Sequence, residues 1–279
     1  MGFLFLALVS GLFLLVNFYF ENTKIVPALG GKFIEAVIGH PRFINPIYAE
    51  ASDVDRDLTE LIFSGLMKYN SEGEIVQDLA RDYKILEGGK VYEFELREDA
   101  FWQDGKKVQT DDVVFTIKTI QNPEIKSPLL PNWLGVELEK IDEQKLKFKL
   151  KEPYSAFLER ATVKIMPEHI WRDVLAKNFP LVNLNLMPVG SGPYQLKDLE
   201  RDERGEISSL ELVLNKKYFG KLPNISQISF KFFDSEKELL EAFNSGEIDG
   251  LNVNTQSFKP PTLAKVAADE YPDFVEDAR

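Results

Sequence analysis

The stretch "MPVGSGPYQL", residues 187–196, decides how this chain is read. Two glycines flank Ser191, and Pro193 and Tyr194 follow. A phosphate-binding loop needs Gly-x-x-x-x-Gly-Lys-Ser/Thr, with the second glycine opening a helix. Here Gly192 leads into Pro193 and then Tyr194-Gln195-Leu196, which reads as a strand, and no lysine stands where a phosphate would need it. The esterase elbow Gly-x-Ser-x-Gly is not matched either, because Ser191 touches both glycines. What remains is a tight chain reversal into a strand, with glycine supplying positive φ and proline ending one element before the next begins. The flanking segments must then say which architecture needs a re-entry at this point.

Downstream, "YQLKDLERD" and "SSLELVLNKKYF" read as antiparallel strands and "ISQISFKFF" as a further strand. "SEKELLEAFNSG" is a helix with a capping box, Ser235 at the N-cap, Glu238 three residues on and Gly246 past the end. "EIDGLNV" follows as a strand, so the trio is a β-α-β unit whose two strands should be parallel. Upstream, "KFIEAVIG" alternates as a strand, and "HPRFINPIYAE" carries two prolines that force an extended or turning path. "RDLTELIFSGLMKY" places Leu58, Leu61, Ile62 and Leu66 at helical spacing, with Asp57 near its start. Two hairpins follow. One is "DYKIL", "EGG" and "VYEFELR"; the other is "GVELEKI", "DEQ" and "KLKFKLK". Between them a helix runs through "TDDVVFTIKTIQ", with Thr110 as its N-cap and Asp111 and Asp112 in the first turn, where the helix dipole favours them. Adjacent helix residues do not face each other, so this aspartate pair reads as a helix start rather than a metal or acid–base pair. The α/β material thus brackets a β-rich insertion.

Composition narrows the function. The chain has 279 residues, 44% of them hydrophobic, enough for a large core or two smaller ones. A formal net charge of -12 argues against a nucleic-acid partner, which wants a basic face. The absence of cysteine excludes disulfides, thiolate metal sites, a cysteine nucleophile and an acylated cysteine. Phe3 to Phe20 carry no charge, are apolar on every side and end in Phe18-Tyr19-Phe20. As a helix this run spans about 27 Å, the short end of what a bilayer needs. Without a basic n-region or a small-residue cleavage site, it reads as an uncleaved membrane anchor. The charge count leaves its orientation open. There are only two histidines, His40 and His169, too few for most triads or metal sites, and no carboxylate pair is singled out.

The order of segments resembles the family 5 extracellular solute-binding proteins, the peptide- and nickel-binding receptors of bacterial ABC importers. The resemblance runs from Asn45 to Tyr69, through "GEIVQDLARDYKILEGGKVYEFELREDAFWQDGKKVQTDDVVFTIK", "PVGSGPY" and "LLEAFNSGEIDG", and covers roughly residues 33 to 254. It implies an α/β fold, a type II periplasmic-binding-protein-like lobe with a β-rich inserted domain. Residues 1–24 would be the anchor helix, 25–50 a linker and the start of lobe I, 51–184 the inserted domain and 185–254 the return to lobe I. Residues 255–279 would then begin the crossover to a second lobe that this chain lacks. The opening stretch is then the return to lobe I, and it binds no phosphate.

The resemblance implies a function as well. It is reversible capture of a peptide or other small solute by hinge closure, with delivery to an ABC permease, outside the cytoplasm and without cofactor or catalysed reaction. A membrane-anchored hydrolase and a chaperone-like interaction module on the same fold are the alternatives. The stretch after the first strand resembles the family's lobe I wall, which points to His40, Pro41 and Arg42 as ligand-binding residues, Arg42 able to pair a solute carboxylate. Trp133, in "SPLLPNWLG", corresponds to a cleft-facing stretch. It either stacks over a solute or sits as a core tryptophan beneath a hairpin.

Overall fold

The computed structural model describes residues 29–251 and, within the N-terminal run, positions 2, 10, 11, 13–15, 17 and 18. Most of the anchor expected over residues 1–24, and all of the crossover expected over 255–279, lie outside these residues. Among the described residues no helix is long and apolar enough to cross a membrane.

Strand β1 (Lys32–Ile38) lies inside a five-stranded sheet of order β11-β1-β10-β9-β8. Strands β8 (Tyr194–Arg201), β9 (Ile207–Leu214) and β10 (Gln227–Phe233) form an antiparallel meander, and β10 pairs with β1 in parallel, Lys32 opposite Gln227. Parallel partners require a crossover. Helix α3 (Glu236–Asn244) provides one, leading from β10 to β11 (Gly250–Leu251). Ser235 Oγ accepts the Glu238 amide at 3.4 Å, and Gly246 closes the helix at φ 75°. The β-α-β unit forms as the sequence predicts, with β1 lying between its two strands.

Alternation decides which face of the sheet is dry. Ile228, Phe230 and Phe232 on β10 and Leu210, Leu212 and Leu214 on β9 are buried. Helix α1 (Asp53–Ile62) faces this sheet, with Val54, Leu58 and Leu61 lining one apolar gap together with Val37, Phe230 and Phe232. The helix begins at Asp53, three residues before the expected stretch opening at Arg56, and ends at Ile62. Leu66, expected on the same helix, lies beyond it at the entrance to β2 (Met67–Tyr69). Although α1 falls within the span 51–184 assigned to the insertion, it sits against the five-stranded sheet. Under α3, Ala36, Leu239, Ala242 and Ile248 make a separate small core.

The insertion carries a four-stranded antiparallel sheet, β4 (Ala80–Leu86), β5 (Val91–Leu96), β7 (Lys145–Lys149) and β6 (Glu137–Lys140), in that spatial order. A two-stranded ribbon pairs β2 with β3 (Ile75–Gln77). The expected "EGG" reversal joins β4 to β5, with positive φ at Glu87, Gly88 and Gly89. Tyr92, Phe94, Phe148, Phe157 and Trp133 pack ring on ring, centroids 4.6–6.0 Å apart in the contacts among them. At about 1.5–3 kcal/mol per fully buried aromatic or aliphatic side chain, this cluster is a main source of the insertion's stability. Helix α2 (Thr110–Gln121) adds Val113, Ile117 and Ile120. Its cap is Gln109 rather than Thr110: the Asp112 carboxylate accepts the Gln109 amide at 2.9 Å, and the Thr110 hydroxyl donates to the Asp142 carbonyl instead.

The chain returns to the five-stranded sheet through Gly190-Ser191-Gly192, but the reason for the glycines differs from the one the sequence suggests. Neither has positive φ. Both are pressed against the end of α1. A Cβ on Gly190 would stand 1.9 Å from the Ile62 carbonyl oxygen, and one on Gly192 2.7 Å from its carbonyl carbon. Gly192 donates to Ile62 O at 2.8 Å, and the Gln103 side chain clasps the turn, accepting from Gly190 N and donating to Tyr194 O, both at 2.8 Å. The glycines therefore serve close backbone approach.

Candidate functional site

On α1, residues 56, 59 and 60 share a side away from the apolar stripe, because helical neighbours recur at three and four residues. Arg56, Thr59 and Glu60 form one wall of an open cleft of about 390 Å³. Pro46, Ala49 and Glu50 form the second wall, Leu129, Asn132 and Trp133 the third, and Tyr69 with Glu159, Arg160 and residues 162–164 the fourth. The size falls within the usual range for small-molecule sites.

Each wall is fixed by hydrogen bonds that the local sequence dictates. Asn45 is buried, donates to Asn185 Oδ1 at 2.8 Å and accepts the Ile47 amide at 3.0 Å. The Asp55 carboxylate accepts the Arg42 and Phe43 amides at 2.7 and 3.0 Å, binding the loop after β1 to α1. Burial raises the Asp55 pKa, and those two amides with the Arg42 charge oppose the rise. Ser127 Oγ donates to Ile47 O and Tyr48 OH to Ile125 O, each at 2.8 Å, joining the second wall to the third. Gln121 Nε2 donates to the carbonyls of Trp133 and Val136 at 2.7 Å. The fourth wall reaches α1 through the bridge between Gly65 and Lys164. A side chain at Gly65 would strike the Thr162 carbonyl at 2.6 Å.

Charges in the cleft are mixed. Lys164, 7% exposed, holds its ammonium 2.6 Å from Glu60. Arg56 pairs with Asp53 at 2.6 Å and reaches Asp57 at 3.9 Å. Tyr69 OH donates to Glu159 at 3.1 Å. The Arg160 guanidinium lies 4.2 Å over the ring of Tyr154. Such a surface can hold a polar solute through several charged and hydrogen-bonding groups at once.

The residues singled out from sequence are not brought together here. His40, Pro41 and Arg42 lie outside this cleft. His40 places Nδ1 2.8 Å from Ile207 O and Nε2 2.8 Å from Asp234 Oδ1. An acceptor at each nitrogen favours the imidazolium form, and the His40 pKa is raised accordingly. His40, Glu206 and Asp234 bring ligand atoms within 4.8 Å of one another, the one such His/carboxylate group among the described residues. The Arg204 guanidinium already lies between its carboxylates, 2.9 Å from Asp234 and 3.3 Å from Glu206, and fills the place of a cation. Pro41 is buried, and Arg42 is exposed with its guanidinium 5.6 Å over Phe43. Trp133 does line the cleft, but it is 1% exposed and packed on Phe148 and Phe157, so its ring is a core tryptophan and not a lid over a solute. His169 pairs with Asp104 at 2.6 Å. The sequence reading missed Glu50, Thr59, Asn132, Arg160 and Lys164. The available signal was the spacing of Arg56, Thr59 and Glu60 on the polar side of α1.

A family model described as bacterial extracellular solute-binding proteins, family 5, middle, matches residues 74–277, well over half of the sequence. The chain belongs to that family. The oligopeptide-binding protein AppA of Bacillus subtilis is 26% identical over 237 residues, matching 84% of this chain and 42% of the relative. The dipeptide-binding protein of Escherichia coli is 27% identical over 216 residues, matching 69% of this chain and 39% of the relative. Among solved structures, AppA in complex with a nonapeptide superposes with a TM-score of 0.75 at 25% identity, covering 82% of this chain and 45% of AppA. NikZ from Campylobacter jejuni in complex with Ni(L-His) gives a TM-score of 0.72 at 25% identity, covering 86% of this chain and 45% of NikZ. The α/β architecture is thus that of a type II periplasmic-binding lobe, and the family 5 chain described here spans less than half the length of these relatives.

Proposed function

We propose that this chain supplies one side of the solute-binding cleft of an extracytoplasmic receptor that delivers peptides to an ABC permease, held to the membrane by residues 1–24. The observation that carries the reading is the open cleft beside α1, built from four separate segments and lined by both acidic and basic side chains. Its support from relatives is that the similar proteins include ones named as oligopeptide- and dipeptide-binding, one of them solved with a nonapeptide. Capture and release, rather than bond making, is the reading, since His40 and His169 are both tied to aspartates outside the cleft. A hydrolase using either would have to work outside the cleft.

The absence of cysteine makes the test selective. An Asn132→Cys variant carries a single thiol at an exposed cleft residue. Ligand-observed NMR of a mixed tripeptide pool should show saturation transfer from the free-thiol variant and lose it after maleimide capping. Unchanged transfer after complete capping would remove the cleft from the proposal.

A further inference from the structure

We propose that His40, Glu206 and Asp234 form a site for a zinc-like divalent ion, separate from the cleft, which the ion enters in exchange for the Arg204 guanidinium. The three ligand atoms come from three places in the fold: the loop after β1, the turn between β8 and β9, and the residue following β10. They lie within 4.8 Å of one another. His40 Nε2 stands 2.8 Å from Asp234 Oδ1 and 3.9 Å from Glu206 Oε2. Ligands at the usual zinc distances of about 2.0–2.2 Å sit about 3.3 Å apart in a tetrahedron, so each of these two pairs needs to shift by only about half an ångström. The Glu206 and Asp234 side chains are 49% and 47% exposed, which leaves them free to make that shift.

Two features set this group apart from an ordinary surface ion-pair cluster. The first is the way the imidazole is held. His40 Nδ1 lies 2.8 Å from Ile207 O, a carbonyl outside the group. That contact makes Nδ1 the donor and aims Nε2 at the carboxylates, which is how proteins orient a metal-ligating histidine. The second is that a cation already stands in place. One guanidinium nitrogen of Arg204 lies 2.9 Å from Asp234 and 3.3 Å from Glu206. Two carboxylates thus share a single positive charge, whereas a divalent ion would match both. Arg204 Nε also meets Asp202 at 2.8 Å, so the guanidinium keeps a partner when it leaves. An imidazole beside two carboxylates suits zinc, whereas magnesium and calcium take oxygen ligands. An imidazole ligates only in its neutral form, so binding releases the Nε2 proton to solvent. Three protein ligands leave the fourth position of the tetrahedron to water.

The test is titration of zinc chloride into the full chain at about pH 8, where protons compete less for the ligands, read by proton–nitrogen NMR of the histidine rings and by calorimetry. His40 Nε2 should shift as one zinc binds per chain. His169, tied to Asp104 and outside the group, should not shift. His40→Gln should weaken zinc binding at least about tenfold, since losing a ligand costs no less than losing a group that orients one. Arg204→Ala removes the competing cation and should tighten zinc binding. Magnesium should leave the His40 ring unchanged. No zinc-dependent change at His40 Nε2 in the unaltered chain would overturn the site, a result that needs no variant and so cannot come from a folding defect. Binding that survives His40→Gln, or that magnesium reproduces, would also overturn it, leaving a carboxylate patch that attracts cations of any kind. Equal zinc affinity in Arg204→Ala and the unaltered chain would overturn the exchange with Arg204.

Discussion

At the scale of single residues, Gly190 and His40 show what a side chain's surroundings demand. A methyl on Gly190 has nowhere to go but into the Ile62 carbonyl. Gly190→Ala should therefore cost about 3 kcal/mol, the upper part of the overpacking range, whereas Gly205→Ala, at φ +83° in open space, should cost about 1 kcal/mol. Urea unfolding midpoints of the two variants check the difference. The turn was legible in "VGSGP"; the cause of its glycines was not, because the contact comes from α1, far away in sequence. His40 answers to pH. Burial alone would lower its pKa, but the Ile207 carbonyl, Asp234 and Glu206 together raise it. A raised folded value stabilises fully below the ordinary histidine range of about 6.5, and that contribution is lost as pH rises through the folded pKa. Between about pH 5 and about pH 9 the unaltered chain should lose stability relative to His40→Gln. A constant difference across that window would show that His40 is neutral in the fold.

Elements show how far periodicity reaches. The hairpins and the β-α-β unit were legible because their signals are local: alternation, "EGG", and the capping box at Ser235. The ends of α1 and the cap of α2 were not, since they depend on partners elsewhere. Asp111 and Asp112 illustrate this. The sequence assigns both to the helix start, yet Asp112 is buried, accepting the amides of Gln109 and Glu168 and the Trp102 indole, while Asp111 meets Lys140 at the surface. Asp112→Asn turns an NH2 toward buried donors and should destabilise by about 2 kcal/mol. Asp111→Asn removes an exposed pair and should change stability by no more than about 0.5 kcal/mol. Thermal melts of the two variants at one pH make the comparison. Equal effects would mean that α2 does not use Asp112 to hold the 166–171 segment.

For the whole molecule, fold class and site were unequally legible. Segment order carried the architecture, because each turn and amphipathic run constrains its neighbours. The cleft is assembled from residues near 46–50, 56–60, 129–133 and 159–164, and no one segment announces it. His40 and Arg42 were chosen because their stretch resembles the family's lobe I wall; the fold spends the first on the β8–β9 turn and leaves the second at the surface. A cleft whose described residues enclose a solute from one side only leaves it half wet, so this chain should bind peptides weakly. The most direct measurement is photo-cross-linking of the full chain with a benzophenone-bearing tripeptide, competed with Ala-Ala-Ala and mapped by mass spectrometry. The account predicts competable adducts on 46–50, 56–60, 129–133 and 159–164. Competable adducts confined to residues 39–43, or to any surface away from α1, would contradict it.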